Sequence, residues 1–306
     1  MARFRVQFAH IAAVSRETFC NFLKILLILL FFNDILLLRY QKEGIIAVQI
    51  ISFANQKGGV GKTTSALNCA TCLGVLGKRV LLIDLDPQAN STSSLGIAKN
   101  GLKYSIYDVL TGNASDVTQA IIDTKYKNLS IIPSNMALAS IEAELTTQGG
   151  REGYLKRILS ELEKKGLFDY VIIDCPPSLG MITINALVAS TGLVIPTQCE
   201  YFALEGLTQL MMSVKAIKNR YNKNLSITGI LITMFTPRFK LSKEVLSELE
   251  NYYFDTIFDK KISRSIVISE ACSYAEPLYY YSKYSKSSLE YLEVAKEIIL
   301  RTEGII

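Results

Sequence analysis

"NQKGGVGKTT", residues 55–64, lies between the apolar run "IIAVQIISFA" (45–54) and a helical pattern reaching about residue 76. That order, strand, glycine-rich loop, helix, decides how the chain is read. Glycines let a backbone turn at positive φ and approach an anion closely, and the free N–H groups of a helix's first turn face whatever sits there. The standard phosphate-loop pattern is G-x-x-x-x-G-K-[ST]. Counting back from Gly61-Lys62-Thr63, its leading glycine falls on Gln56, and a second lysine, Lys57, follows. The loop carries one lysine more than its own phosphates require.

Outward from the loop, apolar β-branched runs alternate with helical patterns. The runs are 45–55, "RVLLIDLD" (79–86), "LSIIP" (129–133), "YVIID" (170–174), "GLVIPTQ" (192–198) and "ITGILITMF" (227–235). Continuous apolar runs fit strands buried on both faces. Helices are expected near 62–76, 137–148, 151–165, 181–190, 203–221 and 240–253. Strand-helix repetition gives parallel strands with right-handed crossovers. The expected fold is a doubly wound, mostly parallel α/β sheet flanked by helices, of the P-loop NTPase type, with its ligand at the carboxyl ends of the strands. Neither an internal repeat nor a low-complexity linker divides residues 45–306, which are read as one domain.

The loop's chemistry follows from its residue types. Backbone N–H groups of Gly58, Gly59, Val60 and Gly61 can wrap a phosphate, Lys62 can reach the β- and γ-phosphates, and the Thr63 hydroxyl can ligate Mg²⁺. Thr64 is expected at the α-phosphate. Asp84 and Asp86 end the second run and Asp174 ends the fourth. Side chains at i and i+2 of a strand share a face, so Asp84 and Asp86 are expected to look into the same crevice. Asp174 reads as the carboxylate that holds Mg²⁺, with Asp84 beside it, and Asp86 as the group orienting an attacking water. Pro87 and Pro176-Pro177 stiffen the adjoining loops.

Composition excludes other chemistries. The single histidine, His10, lies outside the motif region, which removes Ser-His and Cys-His nucleophile pairs. The six cysteines are scattered; Cys69 and Cys72 form C-x-x-C on a helix without a second pair, a pattern of buried small side chains in a reducing compartment. Net charge is +5, and residues 1–44 hold six Lys/Arg against three Asp/Glu, so the remainder is close to balanced. Residues 22–38, "FLKILLILLFFNDILLL", are apolar but interrupted by Lys24, Asn33 and Asp34, short of the about 20 apolar residues of a spanning helix. Three readings stay open for this extension of 1–44: a recorded start that is too early, a membrane-associated helix, or an extra packed helix.

"QKGGVGKTT", "LLIDLDPQAN", "IIDCPPSLGMITINAL" and "VIPTQCEYFALEGLTQL" together closely resemble the deviant-Walker-A ATPases, and within them the ParA/Soj partition proteins, over residues 46 to about 300. The resemblance implies an Mg²⁺-dependent ATP hydrolase that forms a homodimer when ATP-bound. Lys57 then reaches the partner's nucleotide, neutralising charge on the transferred phosphoryl from across the interface. It also implies non-specific duplex DNA binding, release stimulated by a ParB/Spo0J-type partner, and a cytoplasmic, nucleoid-associated protein; a membrane partner enters only if the N-terminal extension is genuine. By motif position, Lys215 and Arg238 match DNA-contacting basic residues of that family. Independently, residues 201–264 hold ten Lys/Arg against six Asp/Glu, a surplus suited to salt-dependent backbone binding.

The stretch "ISRSIVISEACSYA" (262–275) departs from the family pattern, with Ser263, Val267, Cys272 and Ala275 where proline, arginine, proline and glycine are usual. One DNA-facing cation is thereby lost, and the loop bordering the base is expected to be looser. A MinD-like membrane-associated division regulator is the runner-up, but it wants a basic amphipathic C-terminal helix, and "LEYLEVAKEIILRTEGII" carries four glutamates. Bacterial tyrosine kinases share the loop and a tyrosine cluster, and the nitrogenase iron protein shares the loop; the remaining blocks favour neither.

Overall fold

The computed structural model describes residues 48–146 and 150–304; the expectations for residues 1–44 lie outside them. Seven strands build one sheet: β1 (Gln49–Phe53), β2 (Val80–Asp84), β3 (Ile122–Asp123), β4 (Leu129–Ile132), β5 (Tyr170–Asp174), β6 (Gly192–Gln198) and β7 (Ser226–Thr233). Their order is β3-β4-β2-β5-β1-β6-β7. Every pairing is parallel except that of β3 with β4. The helices are α1 (Lys62–Val75), α2 (Asn90–Ser94), α3 (Ile106–Thr111), α4 (Ile141–Thr146), α5 (Tyr154–Lys164), α6 (Met181–Ala189), α7 (Ala203–Arg220), α8 (Lys240–Tyr253), α9 (Ile266–Ser273), α10 (Leu278–Tyr281) and α11 (Lys286–Thr302).

The apolar runs are continuous because each strand face meets its own core. Ile50, Leu81, Ile83, Val171 and Ile173 enter one buried cluster with α5, α6 and α7. Their alternates Ile51, Phe53, Val80, Leu82, Tyr170 and Ile172 enter another with α1 and α11. This period-2 division matters at the strand ends. Asp84 and Asp174 share parity with Leu82 and Ile172, so both turn to the face on which α1 lies. They are also directly in register.

Several element boundaries differ from expectation for physical reasons. The seventh strand stops at Thr233 because Met234 has φ 50°, which is not extended backbone. The helix expected at 137–148 begins as a 3-10 turn, Met136–Ser140, capped by the Asn135 side chain. The short helix α2, "NSTSS", has no apolar residue to reveal it, and β3 is two residues long. No helix among the described residues is long and apolar enough to cross a membrane.

Candidate nucleotide and metal site

The glycine-rich loop leaves β1 and enters α1 through Gly59 (φ 73°) and Gly61 (φ 82°), a left-handed path that favours glycine. A Cβ on Gly58 or Gly59 would meet nothing within 4 Å, so the hollow beside them is open. α1 starts without an acidic residue in its first turn and without a side-chain cap; its N–H groups stay available to an anion. The loop is propped from behind by the ends of β6 and β7. Gln198 Nε2 donates to the Gly59 carbonyl (2.9 Å), Thr233 Oγ1 to the Val60 carbonyl (2.8 Å), and Asn55 Nδ2 to the Pro196 carbonyl (2.7 Å). None of these three props was read from the sequence, although Asn55 and Gln198 end their apolar runs, where polar residues signal a working strand edge; Thr233 ends β7 inside its run.

The two lysines occupy different settings. Lys62 is buried and donates from Nζ to the Lys57 carbonyl (3.0 Å), curling the loop around its own ammonium. Burial lowers its pKa, and the charges of Asp174, Cys175 and Asp86 pull it back up. Lys57 is about half exposed and ion-paired with Glu200 of the same chain, just beyond β6. An exposed pair of this kind contributes under about 1 kcal/mol, so it is easily exchanged for another partner. Glu200 lies inside the quoted block "VIPTQCEYFALEGLTQL", yet sequence reasoning gave it no role.

The carboxylates converge from β2 and β5. Asp174 is fully buried; Oδ2 accepts from the Ser91 hydroxyl (2.8 Å), while Oδ1 has no hydrogen-bond partner. Asp84 is also fully buried, and its Oδ2 accepts from the Thr92 N–H (2.8 Å) and hydroxyl (2.7 Å). β2 ends at Asp84, so the shared-face expectation does not reach Asp86. That residue lies in the following turn, its N–H donating to Asp84 Oδ1 (3.2 Å) and its own Oδ1 accepting from Gln88 N–H (2.8 Å). Ala89, which closes the turn, sits at φ 52°.

Burial first, and then repulsion from Asp84, push the Asp174 carboxyl up to about 8; the Ser91 and Thr63 hydroxyls oppose the shift. Burial likewise raises Asp84 to about 6, against the hydrogen bonds from Thr92. Two buried carboxylates in register, one with an orphaned oxygen and a threonine hydroxyl beside it, suit a divalent cation better than a proton. The donor set is all oxygen, which fits Mg²⁺.

Thr64 lines a neighbouring cavity of about 350 Å³, together with Gly61, Met234, Ser263, Ile268 and Tyr291. The first residues of the 262–275 stretch, where a looser loop is expected, are held by hydrogen bonds. Ile262 N–H donates to the Ile232 carbonyl (2.8 Å), Phe235 N–H to the Ile262 carbonyl (2.9 Å), and Ser263 is held by Glu290. Lys215, on α7, and Arg238, between β7 and α8, are both exposed and lie apart from the phosphate loop's hydrogen-bond network. A larger cavity, about 890 Å³, is lined by residues such as Gln49, Gly192 and Ser226 that begin their strands, at the opposite edge of the sheet.

Strand order, loop and acidic strand ends define a P-loop nucleotide-binding protein whose loop carries a second lysine. Residues 48–227 match the AAA domain family. Over 250 residues the chain is 46% identical to the sporulation initiation inhibitor protein Soj of Bacillus subtilis, covering 82% of this chain and 98% of Soj. A solved Mycobacterium smegmatis protein, described as cobyrinic acid a,c-diamide synthase with bound ATP analog and magnesium, is 33% identical with TM-score 0.74, covering 85% of this chain and 97% of that one. A Borrelia burgdorferi plasmid partition protein bound to AMPPNP is 29% identical with TM-score 0.71, covering 85% and 100%. The chain belongs to the Soj/ParA family of partition ATPases.

Proposed function

We propose that this chain is an Mg²⁺-dependent ATP-hydrolysing switch that dimerises on ATP, binds duplex DNA without sequence preference, and acts with a ParB/Spo0J-type partner in chromosome or plasmid partition. Residues 45–306 form its ATPase domain. The observation that carries the reading is the open cradle at Gly58 and Gly59 leading into the N-terminus of α1, with the buried Asp174, whose Oδ1 lacks a hydrogen-bond partner, close enough for its charge to act on Lys62. Gly58, Gly59, Val60 and Gly61 offer N–H groups to the phosphates, Lys62 neutralises them, and Thr64 borders the nucleoside side. Thr63 and Asp174 would hold Mg²⁺, with Asp84 behind them adding charge and fixing Thr92. When bound, the ion offsets charge on the phosphate oxygens. Asp86 orients the attacking water, and its carboxylate is kept in place by the Gln88 N–H.

Lys57 differs from Lys62 in being reachable by a second molecule. Its weak pairing with Glu200 supports a role in trans: on dimerisation the ammonium leaves Glu200 for the neighbour's nucleotide. Lys215 and Arg238 supply phosphate contacts to DNA, which would place the protein on the nucleoid in the cytoplasm. Two alternatives fit less well. The apolar side of α11, with Val294, Ala295 and Ile298 fully buried, is spent on the core and is no membrane-binding face of the MinD type. The synthase chemistry named for the mycobacterial relative is left with that protein.

The test is binding to random-sequence duplex DNA with and without ATP, at low and moderate salt, with anionic liposomes in parallel. ATP-dependent, salt-weakened DNA binding that Lys62→Ala abolishes is expected; liposome binding without DNA binding would overturn the reading. Lys57→Ala should still bind ATP as a monomer but lose ATP-induced dimerisation in sedimentation, and an intact ATP-bound dimer would refute the role in trans.

A further inference from the structure

We propose that Glu290 is a positioning residue for the nucleoside half of the ligand, acting through Ser263; this rests on the nucleotide reading above. Ser263 lines the cavity that continues from Gly61 and Thr64, away from the phosphate cradle. A cavity of about 350 Å³ beside the first turn of α1 has room for a base and ribose. Its outer wall is the segment from Ile262 to Ile266, which belongs to no strand or helix until α9 begins. An irregular wall keeps its shape only if something fixes it.

Backbone bonds to Ile232 and Phe235 hold the wall's β7 side, and Glu290 fixes the other. It stands in the second turn of α11 with its side chain 8% exposed. Oε2 accepts from the Ser263 N–H at 2.8 Å and Oε1 from the Ser263 hydroxyl at 2.7 Å. Both carboxylate oxygens thus grip one residue, through its backbone and its side chain. Bonds to an ionised acceptor are stronger than neutral ones, and two of them set both position and rotation. The next residue along α11, Tyr291, faces the same cavity, and its hydroxyl lies 3.3 Å from Ser65 Oγ on α1. The first turns of α11 therefore tie the cavity wall to the helix that carries the phosphate loop.

Residue 263 is where the family pattern has proline, which has no N–H to give. Proline stiffens a loop by fixing φ; here the same stiffness comes from a serine and a distant glutamate. The consequence is that this chain depends on Glu290 for nucleoside binding in a way that a chain with proline at 263 would not.

The experiment compares affinity for ATP with affinity for inorganic tripolyphosphate, both with Mg²⁺, in the full chain. Tripolyphosphate fills only the cradle. Glu290→Ala should weaken ATP by about tenfold, the scale of losing a charged hydrogen-bond pair, and leave tripolyphosphate within about twofold. Ser263→Ala, which keeps the N–H bond and spares the helix, should give a smaller loss of the same kind, and Ser263→Thr should restore wild-type affinity. Equal weakening of both ligands, or of neither, would overturn the proposal. Failure of the wild-type chain to bind either ligand would sink the nucleotide reading itself, and this inference with it.

Discussion

Ala275 holds a backbone conformation made for glycine. Its φ is 53°, its N–H donates to the Cys272 carbonyl (3.1 Å), and the Glu276 N–H reaches back to the Ala271 carbonyl (3.1 Å), closing the end of α9 in a Schellman turn. A left-handed alanine costs about 1–2 kcal/mol, while glycine gives back about 0.4–1 kcal/mol through its freer unfolded chain. Ala275→Gly is therefore expected to stabilise by about 0.5–1 kcal/mol, read as a raised urea midpoint at unchanged slope. A lower midpoint would mean that the alanine methyl makes contacts outweighing the strain. The missing glycine was legible in the sequence because it breaks a family pattern. The compensation for the missing proline was not: Ser263 and Glu290 are 27 residues apart, and nothing in local spacing pairs them. The same distinction runs through the phosphate loop. Lys57, Lys62 and Thr63 are named by their spacing, whereas Gln198 and Thr233 support the loop across long separations that only the folded sheet creates.

At the level of elements, the parallel strands were readable because both of their faces are buried and their runs need no alternation. β3 and α2 escaped because an edge pair of two residues and a five-residue polar helix leave no hydrophobic period. α2 nevertheless supplies Ser91 and Thr92, which bond the two strand-end carboxylates. Those carboxylates make the ends of β2 and β5 sensitive to pH. Asp84, at about 6, and Asp174, at about 8, both stand above the ordinary 3.8. The folded protein thus holds more protons than the unfolded chain across that interval, so this contribution is complete at the acid side and is lost as pH rises through the folded values. Without nucleotide, Tm should fall between pH 5 and 8.5; Mg²⁺ with ATP should remove most of that slope, and Asp174→Asn should flatten it. A nucleotide-free Tm that instead climbs over this range in differential scanning calorimetry would mean that the pair is already ionised and balanced in the fold.

For the whole molecule, the uneven charge decides where the proposed DNA contact would fall. Ten Lys/Arg against six Asp/Glu fall in residues 201–264, the segment built from α7, β7 and α8 at one side of the sheet. On α7, Lys215, Lys218 and Arg220 are all exposed, and Arg238 is exposed on the next loop in the chain. A monomer with so few cations per face would hold DNA weakly, because each neutralised phosphate contributes a slope of only about 0.9 in log affinity against log salt. In the proposed ATP-bound dimer two copies would double the contacts on one duplex, so that ATP would govern DNA affinity with no change in the basic face itself. Lys215→Ala is therefore expected to lower the salt slope of the ATP-bound protein by about two, one contact from each protomer, and Arg238→Ala by the same amount. The loss should be equal on unrelated DNA sequences, and ATP hydrolysis without DNA should be unchanged. A salt slope unaltered in both variants would move the DNA-binding face away from α7 and the β7–α8 loop.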